Sequence, residues 1–455
     1  MTERDLSLDK GEVPEGYNWV PAATTATYVT LRVDKKASTF GQTPSVSQSS
    51  KNGNRVIHSL QTPDFNLRIW TDPTIESKHN VCLGLKTLQA AGFALYGAYN
   101  APRKGKALWR DAVRKNSYVI QDSGGFQLAT GVADFLDPVD VAKAHALYAD
   151  SGVGLDIPAH GSKDVQLLMA TARVLSANNR VLRKHAGKSV KLLNVSHGST
   201  LSLRRDFLKI AIRGEKLDGI SIGGLRQTAI QVNAGAITPL AFTKHVLLVV
   251  LSTREFYRHY HVLGVATDWQ MALLSSIARK YEISVTSDSA THLLSGLAGS
   301  LLNYGDSTRA GVHVGRAKDW LSTRCSCLVC TTVQYERVLR QYASLAALHN
   351  SLVLTQQARL MWKLSSLQSK LHASRFADML LSNIVEMRQG NRGSFFSAIN
   401  LIYKAKSIDD LGALDEGTGN LTRGVLFRED APVKDNRVFE LVKLYEKYHG
   451  KSFRN

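Results

Sequence analysis

From about Asn66 onward the chain alternates short apolar runs with helix-like segments of ~15–30 residues, the period of a parallel sheet built from βα units. Eight runs read as strands: Leu67–Thr71, Phe93–Gly97, Tyr118–Gln121, Val153–Ile157, Lys191–Val195, Gly219–Ile222, His261–Val265 and Ser284–Thr286. Between them, segments such as Pro138–Asp150, Lys163–Arg183 and Trp269–Arg279 carry apolar residues at helical spacing. Eight strands with crossovers make an α/β chain of the (β/α)8 barrel (TIM barrel) type. A doubly wound sheet is the alternative. The N-terminal stretch reads as an irregular arm, with Ser38 to Asn54 rich in Ser, Thr, Gln, Asn and Gly. The expected organisation is an arm over 1–60, the barrel over 61–315, a zinc-binding and helical subdomain over 316–405, and a basic C-terminal tail over 406–455. Within these, Ser351 to Gln389 reads as a long helix and Val438–Lys451 as a basic helix-like stretch.

In a parallel barrel, function sits at the C-terminal ends of the strands. Tyr118-Val-Ile-Gln-Asp-Ser-Gly-Gly-Phe-Gln127 places a carboxylate, Asp122, at such an end. Ser123, Gly124, Gly125 and Phe126 follow. Two glycines let the backbone come close to a flat ligand and supply bare N–H donors. An acid and an aromatic ring beside them suit a purine-like base. The fourth strand ends in Asp156, and Ser196, His197 and Gly198 follow the fifth. Gly223 and Gly224 end the sixth, Gly264 lies in the seventh, and Asp288 follows the eighth. Acids, glycine pairs and an imidazole at so many strand ends describe one pocket. A helix-capping role is the alternative for any one of them.

Lys plus Arg number 57 against 38 Asp plus Glu, a formal charge of +19. Such a surplus attracts polyanions, nucleic acid first among them. Basic stretches at Arg103-Lys-Gly-Lys106, Arg110 to Lys115 and Arg204-Arg205 are expected backbone contacts or ordinary solvated faces. No apolar run approaches the ~20 residues that span a bilayer, and the charged N-terminus lacks a signal-like apolar core. The expectation is a cytoplasmic protein without a membrane partner. Cys82 stands alone, while Cys325, Cys327 and Cys330 cluster, with His349 19 residues further on. Three thiolates and one imidazole form a closed tetrahedral set for a structural Zn2+ ion.

Asp122-Ser-Gly-Gly-Phe-Gln127, Gly223-Gly-Leu225, Leu263-Gly-Val265, Asp288-Ser-Ala290, the cysteine cluster and Leu348-His-Asn350 together resemble the tRNA-guanine transglycosylase superfamily. The resemblance runs, with gaps, from about residue 90 to about 400. It implies a (β/α)8 barrel with a zinc subdomain, and exchange of a guanine in nucleic acid for a free 7-deazaguanine base. By position, Asp288 would be the nucleophile on C1′, and Asp122 the general acid and base. Asp156 would read the amidine edge of the base. Gly223 and Gly224 would bind its carbonyl oxygen through their backbone, Phe126 would stack on its face, and Ser123 and His197 would line it. The resemblance also implies a homodimer.

Several features depart from the tRNA enzymes. His197 stands where a glutamine is usual. Arg226-Gln-Thr-Ala229 lacks the acid that suits an aminomethyl substituent, which favours the neutral 7-cyano base preQ0. Thr291-His-Leu-Leu-Ser-Gly-Leu297 lacks an arginine-rich anticodon loop, and Tyr96-Gly-Ala-Tyr-Asn100 replaces the expected second-strand block. A kept pocket without tRNA-reading parts is similar to the DpdA branch, which inserts 7-deazaguanines into DNA. The expected partners are therefore DNA and a free 7-deazaguanine base. A tRNA enzyme with a divergent anticodon grip, and a non-catalytic nucleic-acid-binding homologue, are the alternatives.

Overall fold

A computed structural model describes residues 17–23, 31–34, 55–58, 93–97, 118–129, 131, 133–159, 164–225, 237–265, 267–289, 300–301, 312–313, 360–384, 389–412 and 435–454. Among the described residues, four strands come before the main sheet in sequence: β1 (Tyr17–Ala23), β2 (Leu31–Asp34), β3 (Arg55–His58) and β4 (Phe93–Gly97). The first 60 residues, expected to be irregular, thus contain β1, β2 and β3. Leu67–Thr71, expected as the first strand, lies outside the described residues.

The main sheet runs β5 (Tyr118–Asp122), β6 (Ser151–Val153), β7 (Lys191–Ser196), β8 (Gly219–Ile222), β9 (His259–Val262) and β10 (Ser284–Ser289). Neighbours in sequence are neighbours in space, and every pairing is parallel. The result is a curled, six-stranded, half-barrel sheet with helices, α/β in kind. Three strands differ from expectation by more than one residue, one of them β10, which runs on to Ser289 instead of ending at Thr286. Val153–Ile157 was expected as the fourth, but β6 stops at Val153, so Asp156 lies beyond the strand rather than at its end. The seventh begins two residues earlier than expected and ends at Val262, so Gly264 sits in the turn that follows.

The outer layer contains α1 (Gly125–Ala129), α2 (Pro138–Tyr148), α3 (Val165–Ala186), α4 (Leu201–Ala211), α5 (Pro239–Thr253) and α6 (Asp268–Tyr281). Asp137, Asp164, Thr200 and Thr238 each cap the helix that follows, accepting a backbone N–H of its first turn. Side chains alternate across the strands. Gln121 meets His145 of α2, Asn194 meets Asn179 of α3, and Tyr260 meets Thr253 of α5. Those positions therefore face the helices. Ile120, Asp122, His259, His261 and Thr286 occupy the alternate positions, on the concave face. There the two imidazoles both bond the Thr286 hydroxyl, at 3.2 and 2.9 Å.

Further helices among the described residues include α7 (Ala373–Leu381), α8 (Arg392–Lys404) and α9 (Asp435–His449). Phe376, Leu380, Phe395, Ile399 and Ile402 join one core with α5 and α6. The Tyr281 hydroxyl donates to Ala405 O at 2.9 Å, and Arg279 stacks on Trp362 at 3.3 Å from the ring centre. The region expected as one long helix, Ser351 to Gln389, is instead broken by turns at Gln368–Lys370 and after Leu381.

The stretch expected to be a C-terminal tail also docks. Val438, Leu441, Val442, Tyr445 and Phe453 are buried in a second core with α2 and α3. Arg437 donates to Leu128 O and Ala133 O, and Tyr445 to Leu136 O at 2.9 Å. Among the described residues, no helix is long and apolar enough to cross a membrane.

Candidate functional site

The C-terminal ends of β5 to β8 lie side by side, and one polar cluster crosses them. Asp156, past the end of β6, is almost wholly buried. Its Oδ2 accepts from His197 Nε2 at 2.6 Å, and its Oδ1 from the Ser123 hydroxyl at 3.4 Å. A side chain from the β5 end and one from the β7 end thus converge on a carboxylate from the β6 end. An ionised carboxylate has about four lone-pair directions, so two such bonds leave room for a ligand's donors. His197 is 2% exposed, and its ring stands edge-on to Phe207, 5.5 Å between centres. His197, expected to line the base, hydrogen-bonds Asp156 and so fixes the orientation of that carboxylate.

The glycines have two different uses. A Cβ on Gly125 would overlap Asp156 Oδ1 and its backbone oxygen, and a Cβ on Gly223 would overlap the His197 ring. The close approaches expected toward a ligand are, at these two positions, approaches to the carboxylate and the imidazole. Gly124 and Gly224 instead take positive φ, 93° and 77°, and turn the chain after β5 and β8.

Asp122 ends β5, half-buried on the concave face. Asp288 is the fifth residue of β10, two beyond Thr286, rather than after the strand as expected. Because β5 and β10 run parallel within one sheet, both acids sit toward the same end of it. Phe126 lies in the first turn of α1, with its side chain outside the described part. Cys325, Cys327, Cys330 and His349 lie outside the described residues, as do Arg103 to Lys115.

One buried residue beside the cluster escaped the reading of the sequence. Arg204, expected on a basic surface, is fully buried beneath the cluster. Its guanidinium donates to Ser196 O at 3.0 Å, Gly198 O at 3.1 Å, Gly223 O at 2.9 Å and His245 Nδ1 at 2.9 Å. All four acceptors are neutral. Burial lowers its pKa to about 9, so it stays charged at neutral pH. His245 is held neutral, its pKa well below the ordinary value, by burial and then by the Arg204 charge. Gly198 fits this packing, since its φ is +148° and a Cβ there would overlap the Arg204 backbone. Helical spacing could have revealed the burial: Leu201, Arg204, Leu208 and Ala211 share one face of α4, and all are buried.

No protein-family model matches the chain, and no curated protein matches it.

Proposed function

We propose that this chain is a base-exchange transglycosylase that replaces guanine in DNA with a free 7-deazaguanine, preQ0 being the base its pocket suits. The observation that carries the reading is the common location of Asp122, Asp288 and the Asp156–His197–Ser123 cluster, all toward the C-terminal ends of parallel strands. Closure into a (β/α)8 barrel is part of the proposal. It is supported by β1, which pairs in parallel with both β10 and β4, and by β4, which pairs with β5.

The chemistry needs these residue types. The Asp288 carboxylate attacks C1′ of a guanine nucleotide as the bond from C1′ to the guanine nitrogen breaks. Guanine departs with a proton from Asp122, and the sugar is left as an ester on Asp288. The incoming base then attacks C1′, returns its proton to Asp122 and frees the Asp288 carboxylate. Asp156, steadied by His197, accepts hydrogen bonds from the N–C–N edge of either base, and charge assistance strengthens them. The target nucleotide leaves the duplex stack to reach this pocket. Cys325, Cys327, Cys330 and His349 would hold a structural Zn2+, a reading that rests on their spacing.

The test is incubation with labelled guanine or preQ0 and either DNA or tRNA. Label entering DNA, and absent after Asp288→Ala, is the expected result. Label entering only tRNA would select the tRNA enzyme instead. No exchange into either polymer would leave a non-catalytic binder.

A further inference from the structure

Arg204 sits under the candidate pocket with a buried charge and four neutral partners, and the chemistry above gives it no task. Two of its carbonyl partners belong to the peptides Gly198–Ser199 and Gly223–Gly224. In a trans peptide the N–H points away from the C=O. A guanidinium that grips both carbonyls therefore fixes two N–H bonds, those of Ser199 and Gly224, pointing away from itself. It also polarises them, since a charged donor on a carbonyl strengthens the N–H of the same peptide. Both residues are half-buried, and among the described residues neither N–H donates a hydrogen bond. A cation pulling on three carbonyls from beneath thus presents two strengthened donors at the ends of β7 and β8.

We infer that Arg204 is a positioning residue that aims the Ser199 and Gly224 amides at the carbonyl oxygen of the bound base. This rests on the proposed base exchange and adds to it the residue that builds its carbonyl subsite. Donors aimed in advance stabilise negative charge that gathers on an oxygen, as it does on a purine carbonyl when the base leaves. A lysine at 204 would keep the charge and lose the fork that holds several acceptors at once. His245 is the second part of the device. It accepts from Arg204 Nε, and so sets the angle of the guanidinium plane.

The experiment is guanine exchange into DNA by the full chain, comparing wild type with Arg204→Lys, His245→Leu and His245→Asn. Circular dichroism and Tm report folding for each. The expected result for Arg204→Lys is a KM for free base raised roughly 10- to 100-fold, with the KM for DNA unchanged. His245→Leu should raise the base KM by a smaller factor. His245→Asn, whose side-chain oxygen can replace Nδ1 as acceptor, should return it to near wild type. A folded Arg204→Lys with unchanged base KM would overturn the inference while leaving the exchange reading intact. Should Arg204→Lys not fold, the histidine pair decides, and a base KM indifferent to both variants overturns it. A wild-type protein that exchanges no base overturns the reading beneath it.

Discussion

The glycines around the polar cluster were chosen by their neighbours. Gly125 is wedged against Asp156, so Gly125→Ala should displace the carboxylate without removing any functional group. We expect base exchange to fall by roughly 100-fold while the far-ultraviolet spectrum stays unchanged. Gly152 faces the His145 ring equally closely, on the helix-facing side of the sheet. Gly152→Ala should leave exchange intact and cost about 1–3 kcal/mol of stability, read by denaturant midpoint. His145 also sets an acid limit. Burial lowers its pKa to about 4, against the opposing pull of the Val153 carbonyl, and burial likewise lowers that of His259 to about 3. The unfolded chain binds these protons at the ordinary value near 6.5, so between there and about 4 it holds more protons than the native state. Stability is then full above that window and falls as pH drops through it, by about 1.4 kcal/mol per unit for each group. Thermal melts from pH 7 to 4 check this, and His145→Asn should flatten the slope.

At the level of elements, the strands were the most legible part of the sequence. Gly219–Ile222 and Phe93–Gly97 match the observed spans, because short apolar runs bounded by glycines leave little choice of boundary. Asp156, expected at a strand end, falls in the polar cluster although its strand stops three residues earlier, at Val153. Arg204 was misread because a pair of adjacent arginines looks solvated until the helical face of α4 is drawn. The C-terminal helix was seen as helical but not as packed. Its many charged residues hid an apolar face, Val438, Leu441, Val442 and Tyr445, at spacings of three, one and three. Burying those four and Phe453 contributes on the order of 10 kcal/mol, at ~1.5–3 kcal/mol per side chain. That equals the whole stability of an ordinary domain. Removing residues 435–455 should leave a chain without a cooperative thermal transition, and Tyr445→Ala should lower Tm by several degrees.

For the whole molecule, the surplus of +19 should govern its encounter with polyanions. Binding to duplex DNA should weaken on the order of 10³-fold between 50 and 200 mM salt if about six phosphates are neutralised. A fluorescence-anisotropy titration at the two salt concentrations measures it, and a flat response would remove DNA as an electrostatic partner.

The Tyr445 hydroxyl reaches back 309 positions along the chain to Leu136, and Arg437 an equal distance to Leu128. During synthesis, the early βα units must leave the ribosome and wait, one flank of their apolar surface uncovered, until residues beyond Asp435 emerge. At ~5–20 residues per second that interval is on the order of tens of seconds. Translation speed and chaperone supply should therefore decide how much of this polypeptide reaches its native state, more than the sheet's own propensity to form.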